Sequence, residues 1–537
     1  MPRDRYFWIA IGFGIPVLAV TVYEMLSGAT GGVISWVQFG LAVPLVVLLT
    51  WVPLVQAVSR RDWLSPWPLA AIASVSCLVL AVWSLLDPAS ARLGLGGPYL
   101  IFIALTAMIW AAGYSLASKA LGNVDNPLPP GPDRLVKWTL IVLPIAAVAA
   151  AVIWTVLDQS GSPARIALLA ALATLAVGPP VTLTFGLSAL LLIGALRGSE
   201  VGVRPTSWRC VGLDRKIDCV LFSDASLFVS QDPSILDFDV AEGIDSGRLV
   251  SLLKTLDSLK PSRLERLPGM GYVAELDEGQ VVVGSAELLE SRGISTAGFE
   301  DNVKRSLAAG AKPTLIAKSG TCMGFMSLAF NLRMEAALVV ESLKAAGFKC
   351  MAPRPVEPEA IQALKRLPSV QVLETEGHRL AQTMDRMRAE GQRIALVSGP
   401  ELNAELSGRA DLAVVLGCSP QAVPANADVI LESADLDGTL HGISLAALLS
   451  RLGRRIRIAV AAPHAVVLVL AIGLLQGTTG LGTSPLLASG ALAAACALIM
   501  LQAMPASSWE PSDKIEKALA GAVDALSRAS EGNKSIH

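Results

Sequence analysis

Apolar runs long enough to cross a bilayer, about 20 residues each, recur at roughly 6–27, 35–57, 67–86, 99–117, 138–157, 166–193, 457–475 and 484–504. Between the sixth and the seventh, from about 197 to 456, the pattern changes. Short β-rich runs (Cys219–Phe222, Arg393–Val397, Leu412–Leu416, Asp428–Leu431) alternate there with helical stretches such as Arg333–Ala346 and Leu380–Glu390. That rhythm predicts a parallel sheet with crossover helices. A smaller α+β piece at about 232–318 interrupts it, in which Tyr272–Leu276 and Gln280–Gly284 flank Asp277-Glu278-Gly279 as a hairpin. After Trp509, Ser512 is placed to cap a helix with Ile515, Leu519, Val523 and Leu526 on one face, suited to a membrane surface or a partner.

Loop charges then orient the spans. Arg3, Arg5, Arg60, Arg61, Lys119, Arg134, Lys137 and the whole charged segment alternate with the poorly charged turns 27–32, 87–97, 158–164 and 476–483. Cations concentrate on the cytoplasmic side of a membrane protein, so both termini and the large insert are expected there, with eight spans. The opening Met1-Pro-Arg-Asp-Arg5 enters its apolar run without a small-residue cleavage site and reads as a retained span. The expected organisation is four membrane helices over 1–117, a short cytoplasmic loop at 118–135, helices five and six over 136–196, the α/β domain over 197–456, helices seven and eight over 457–504, and a tail at 505–537.

Composition agrees. Of 537 residues, 53% are apolar and only 16% charged, with a mean hydropathy of +0.55. A soluble domain carries about 25% charged residues, so much of this chain must face lipid. Forty-three basic against forty-five acidic residues leave a net charge of −2, which argues against a nucleic-acid partner. Seven scattered cysteines without a CxxC indicate a reduced, cytosolic soluble part.

The order of parts, with the local runs Trp36–Pro44, Asp133–Lys137, Arg197–Phe222, Ala410–Gly417 and Ser484-Pro485, resembles the heavy-metal P-type ATPases of the copper-exporting branch. The resemblance implies a membrane α-helical bundle in a bacterial-type inner (cytoplasmic) membrane. Beneath it would sit a cytoplasmic α/β haloacid-dehalogenase-like domain with a small inserted nucleotide-lobe remnant. It also implies an actuator domain between the fourth and fifth spans. Here only Ser118–Arg134 connects them, too short for a domain, and the family's Thr-Gly-Glu occurs nowhere in the chain.

The family's chemistry can be carried over position by position. Its Asp-Lys-Thr-Gly-Thr falls on Ser223-Asp224-Ala225-Ser226-Leu227, which puts a serine in the nucleophile's place and an acid in the lysine's. Its magnesium motif Gly-Asp-Gly-Ile-Asn-Asp falls on Ser398-Gly399-Pro400-Glu401-Leu402-Asn403, losing both acids that would hold the ion. Its Thr-Gly-Asp-Asn falls on Arg354–Glu357, and its His-Pro on Lys260-Pro261. The nucleotide glycines correspond to Gly269, Gly271 and Gly284, although Gly-x-Gly alone serves a hairpin turn equally well.

The cargo ligands fare no better. Cys-Pro-Cys falls on Pro179-Pro180-Val181, Tyr-Asn on Pro463-His464, and the Met and Ser-Ser of the last span on Leu492, Ala495 and Cys496. His464 and Cys496, with Met500 one turn further on, form the one alternative soft-ligand set. Against it, the imidazole can bond a carbonyl freed by Pro463, and a buried cysteine packs as a small hydrophobe. Glu24 sits near the outer end of the first span and is expected to reach headgroups.

These losses fall on the chemical motifs while the scaffold pattern persists. The expectation is therefore a folded pseudo-ATPase with no cofactor and no Mg²⁺, with ATP binding resting on the three glycines alone. Its partners would be the bilayer and a protein of unspecified identity, in a binding, scaffolding or regulatory role. Two other readings compete. One is a metal-transporting ATPase working with substitute residues or a partner's actuator domain; the other is a nucleotide sensor that does not hydrolyse.

Overall fold

The computed structural model of the chain describes residues 5–27, 33–60, 66–86, 99–121, 134–157, 163–177, 182–212, 216–229, 234–257, 264–267, 270–276, 279–329, 332–333, 335–354, 361, 364–375, 379–420, 422–424, 426–472 and 485–509. The membrane part begins with α1 (Arg5–Ser27), α2 (Val33–Arg60), α3 (Pro66–Leu86), α4 (Tyr99–Leu121), α5 (Arg134–Leu157), α6 (Pro163–Val177) and α7 (Thr182–Ser199). Small side chains (Ala42, Cys77, Ala104, Ala107, Ala111) pack inside this bundle beside large ones (Leu45, Phe102, Trp110), while Ile15, Val22, Val47, Val148 and Val152 are exposed. Exposed apolar groups are what a lipid solvent permits, and the small groups inside let helix backbones approach. Among the described residues five helical stretches are long and apolar enough to cross a membrane: Arg5–Glu24, Val33–Val52, Leu100–Leu121, Thr182–Ser199 and Ser489–Ser507. Ala71–Trp83 and Ile141–Val156 are shorter apolar stretches.

Of the sixth predicted span, 166–193, two helical stretches are described, α6 to Val177 and α7 from Thr182; Pro179 and Pro180 lie outside the described residues.

The α/β domain carries a seven-stranded sheet in the order β1-β13-β12-β11-β2-β9-β10. Its strands are β1 (Val203–Pro205), β2 (Cys219–Phe222), β9 (Lys349–Pro353), β10 (Val370–Leu373), β11 (Ile394–Ser398), β12 (Leu412–Val415) and β13 (Val429–Leu431). All neighbours pair in parallel except β1 with β13. The central strands are buried throughout, as expected where helices cover both faces of a parallel sheet.

Between β2 and β9 the chain leaves to build a second sheet in the order β3-β8-β7-β6-β5-β4, antiparallel throughout. It comprises β3 (Ser234–Val240), β4 (Leu264–Leu267), β5 (Gly271–Leu276), β6 (Gly279–Gly284), β7 (Lys312–Lys318) and β8 (Thr321–Ala329), with α8 (Ser246–Asp257), α9 (Ala286–Ser291) and α10 (Glu300–Ala308) packed on it. The predicted hairpin is β5–β6, with Leu276 opposite Gly279. The lobe's sheet runs on to Ala329, past the 318 expected from the sequence, because β8 pairs with both β7 and β3.

Helices α11 (Ala336–Ala345), α12 (Leu380–Ala389) and α13 (Ala404–Arg409) connect the parallel strands. Two further helices return to the bundle: α14 (Asp437–Ile472) and α15 (Pro485–Ser507). The boundary expected at 456–457 is therefore no break, because α14 runs unbroken from the α/β domain into the membrane bundle. One apolar core continues across that junction, from Leu187 and Leu190 of α7 through Val203 and Val414 to Leu440, Leu449 and Ile456 of α14. The amphipathic tail helix expected at 512–526, and most of the loop 118–135, lie outside the described residues.

Candidate functional site

Strand order places β2 at a switch point: the chain continues to β9 on one side of it, and β11 arrives on the other. Crevices at the carboxyl ends of such strands are where open α/β sheets bind ligands. The sequence-selected positions meet there. Ser223 directly follows β2 and its amide donates to the Val397 carbonyl (2.8 Å), while Gly399 directly follows β11. Chain folding thus brings together two motifs far apart in sequence.

What they can do there is limited. Asp224 is exposed in an extended conformation, and its carboxylate accepts the Ser226 amide (2.9 Å), capping the short turn Ala225–Phe228. Phe228 of that turn is fully buried, with its ring 4.6 Å from Phe222. Leu227 lies against Gly399, whose Cβ position would fall 3.8 Å from its Cδ2. An apolar side chain therefore stands between the two loops that would share a ligand. Asn403 is likewise committed locally: its side-chain oxygen accepts the Glu405 amide (2.8 Å) and caps α13. Glu401 is exposed on the loop.

This donor set does not fit a magnesium–phosphate site. A hard divalent ion needs several convergent oxygens, and here the Asp224 carboxylate and the Asn403 amide each face their own helix turn while Glu401 is exposed on the loop. Arg354, the cation that follows β9 at this edge, is exposed, and its amide donates to the Thr375 carbonyl (3.1 Å).

In the lobe, Gly271 has φ +141° and lies opposite Gly284 across the hairpin. A Cβ on Gly284 would fall 2.2 Å from the Met270 carbonyl oxygen and 3.0 Å from the Gly271 Cα. Close approach of the two strands thus uses both glycines. Gly269 lies outside the described residues.

The membrane candidates are not drawn into a ligand set. His464 Nδ1 is 2.8 Å from the Val460 carbonyl oxygen one turn back on its own helix. Cys496 is half-buried on α15 and Met500 is exposed, while Leu492, Ala495 and Ile499 form that helix's buried face. Among the described residues no three His, Cys, Asp or Glu side chains group as a metal site. Pro180, which the resemblance aligns with the proline of Cys-Pro-Cys, is outside the described residues.

Three features escaped sequence reasoning. Glu24 does not reach headgroups: it is buried, and its carboxylate accepts the Ser35 hydroxyl of α2 (3.0 Å). Alongside, buried Gln38 donates to the Thr21 hydroxyl, giving α1 and α2 a polar seam. Asp428 is buried before β13 and accepts the Ala413 amide (2.9 Å), with the Arg209 guanidinium at 3.5 Å. Burial pushes its carboxyl above the usual range, against the opposing pull of that amide and Arg209. Arg333 closes the lobe's neck: its guanidinium donates to the carbonyls of Val229 (3.1 Å) and Ala434 (2.6 Å), beside the Val229–Leu332 bridge. A buried acid and an arginine near an apolar run were present as local signals, but their partners lie far away in sequence.

The chain matches no protein-family model. It is 22% identical over 405 residues to Copper-transporting ATPase 2 of Rhizobium meliloti (strain 1021), covering 71% of this chain and 49% of that protein. It is also 22% identical over 404 residues to the probable copper-transporting ATPase PacS of Synechococcus elongatus, covering 71% and 54%. Among solved structures, a zinc-transporting PIB-type ATPase in its E2.Pi state superposes with a TM-score of 0.56 at 14% identity, covering 94% of this chain and all of that one. The chain is a relative of the heavy-metal P-type ATPases. It shares their architecture of transmembrane helices and an α/β domain with an inserted lobe, and it is an integral membrane protein. The chain spans about half the length of the curated relatives it matches.

Proposed function

We propose that this P-type ATPase relative is a pseudo-ATPase: a membrane protein with pump architecture that binds rather than transports, as a scaffolding or regulatory component of a membrane assembly. The observation that carries this reading is the crevice at the ends of β2 and β11. Asp224, the carboxylate nearest the end of β2, is turned to the Ser226 amide, and Leu227 lies against Gly399. Phosphoryl transfer through a carboxylate needs a free nucleophilic oxygen, a cation on the phosphate and acids on the metal. None of the residues gathered here supplies that combination. We assign the α/β domain to the cytoplasm, a reading supported by Lys119 and Arg197 in the last turns of α4 and α7.

The decisive experiment exposes the purified full chain to γ-labelled ATP, with and without Cu⁺ or Zn²⁺. No acid-stable, hydroxylamine-sensitive phosphate is expected on the protein. Its appearance would end the pseudo-enzyme reading in favour of a metal pump. A rise in melting temperature with millimolar ATP but no labelling would favour a nucleotide sensor instead.

A further inference from the structure

Helix α14 carries one exposed stripe from end to end of its membrane-side half. Arg451, Arg454 and Arg455 are exposed, and the same face continues as Ile458, Ala462, Ala465, Val466 and Val469. The spacing, three or four residues at each step, keeps these side chains on one side of a 3.6-residue helix. Ile458 is 70% exposed and Val466 60%, on a helix that enters the apolar bundle. Those apolar residues continue the face that carries the arginines, which lie nearer the α/β domain. Arg455 and Ile458 are separated by about 4.5 Å along the helix axis. In a bilayer that covers Ile458 and the apolar residues beyond it, the three guanidinium groups would stand on the headgroup side of the stripe, on flexible apolar stems able to lie along the bilayer edge.

Neighbouring cations are already committed. Arg197 pairs with Glu200 (3.2 Å), Arg209 with Asp428, and Arg457 donates to the Val211 carbonyl (3.3 Å). Among the described residues, Arg451, Arg454 and Arg455 have no acidic partner. A helix that exposes three unpaired guanidinium groups at a lipid boundary is complementary to anionic headgroups, whose phosphate oxygens accept two parallel N–H donors from each arginine.

We propose that Arg451, Arg454 and Arg455 form a docking site for anionic phospholipid headgroups in the leaflet next to the α/β domain. Because α14 joins that domain to the bundle without a break, lipid bound there holds the helix at a fixed depth. The inference requires only a membrane-embedded α14 and stands apart from the question of ATP turnover.

The test is native mass spectrometry of the full chain in detergent, titrated with phosphatidylglycerol or phosphatidylcholine of equal chain length. Wild-type protein should retain phosphatidylglycerol preferentially, and the preference should decline as ammonium acetate is raised. Each arginine removed should weaken retention roughly fivefold, so that R451Q/R454Q/R455Q binds both lipids alike. The control R386Q/R388Q, on the exposed side of α12, should behave as wild type. Equal retention of the two lipids by wild type, or an undiminished preference in the triple variant, would overturn the proposal. Displacement of the lipid by millimolar inorganic phosphate would also overturn it, since the site would then read free phosphate. If the triple variant failed to fold, the salt series on wild type would decide alone: a preference that ignored ionic strength would refute the charge-based site.

Discussion

Gly271 of β5 lies opposite Gly284 of β6, so close that a Cβ on Gly271 would stand 2.1 Å from the Val283 carbonyl oxygen and 2.5 Å from the Gly284 Cα. With φ at +141°, Gly271 also occupies backbone space that other residues enter only under strain. These glycines are explained by strand packing, with no nucleotide required. Gly271→Val should therefore destabilise the lobe by roughly 2–4 kcal/mol in the absence of any ligand. Faster hydrogen exchange across residues 271–329, with α12 and β11 unchanged, would report it. A variant that exchanged like wild type would show the clash to be relieved elsewhere.

Asp224 behaves here as a turn cap, and its two simplest substitutions separate that role from chemistry. Asp224→Asn keeps a side-chain oxygen for the Ser226 amide and should melt with the wild type. Asp224→Ala loses the cap and should cost about 1 kcal/mol. Thermal unfolding of the purified variants measures both. A nucleophile would instead make Asn as damaging as Ala for any ATP-dependent signal.

Asp428 gives a pH dependence of definite sign. Burial raises its folded pKa above the ordinary 3.8, so the folded chain takes up this proton more readily than the unfolded one. Its stabilising contribution is greatest in acid and is lost as pH rises from 3.8 through the raised folded value. The stability of wild type relative to Asp428→Asn should accordingly fall as pH rises across that window and then level off. Paired melting curves over a pH series would test this, and a difference that grew with pH would contradict it.

The thiols of the central sheet should be inert. Burial pushes Cys219 up to about 11, with Asp218 and Asp411 adding to the effect. It pushes Cys350 up to about 12, with Glu341 contributing. Since the thiolate is the reactive form, neither should be alkylated by iodoacetamide at pH 8 until denaturant is added. Peptide mapping of labelled protein would settle it, and rapid labelling of the native chain would mean that the sheet opens.

Much of this architecture is legible locally. The first span, read as 6–27, forms as Arg5–Ser27, and Cys219–Phe222 forms the strand its β-branched and aromatic content indicates. Hydrophobic period and turn residues act over a few positions, and these elements depend on little else. The inserted lobe shows the limit of local reading: its sheet runs on to Ala329, past the expected 318, because β8 pairs with β3, far away in sequence. Glu24 shows another limit. A carboxylate near a helix end reads as solvent-seeking until Ser35 of the neighbouring helix is placed 3.0 Å away.

By itself the sequence determined the broad division into apolar helices and an α/β domain with an inserted lobe, and the residue that stands at each motif position, because these follow from side-chain identity and short-range spacing. Only the tertiary structure decided that Asp224 and Asn403 spend their oxygens on local caps, that Leu227 lies against Gly399, and that Arg451, Arg454, Arg455 and Ile458 are all left exposed on one face of α14. Those outcomes depend on how separately formed elements pack, and on the direction in which each side chain is left to point.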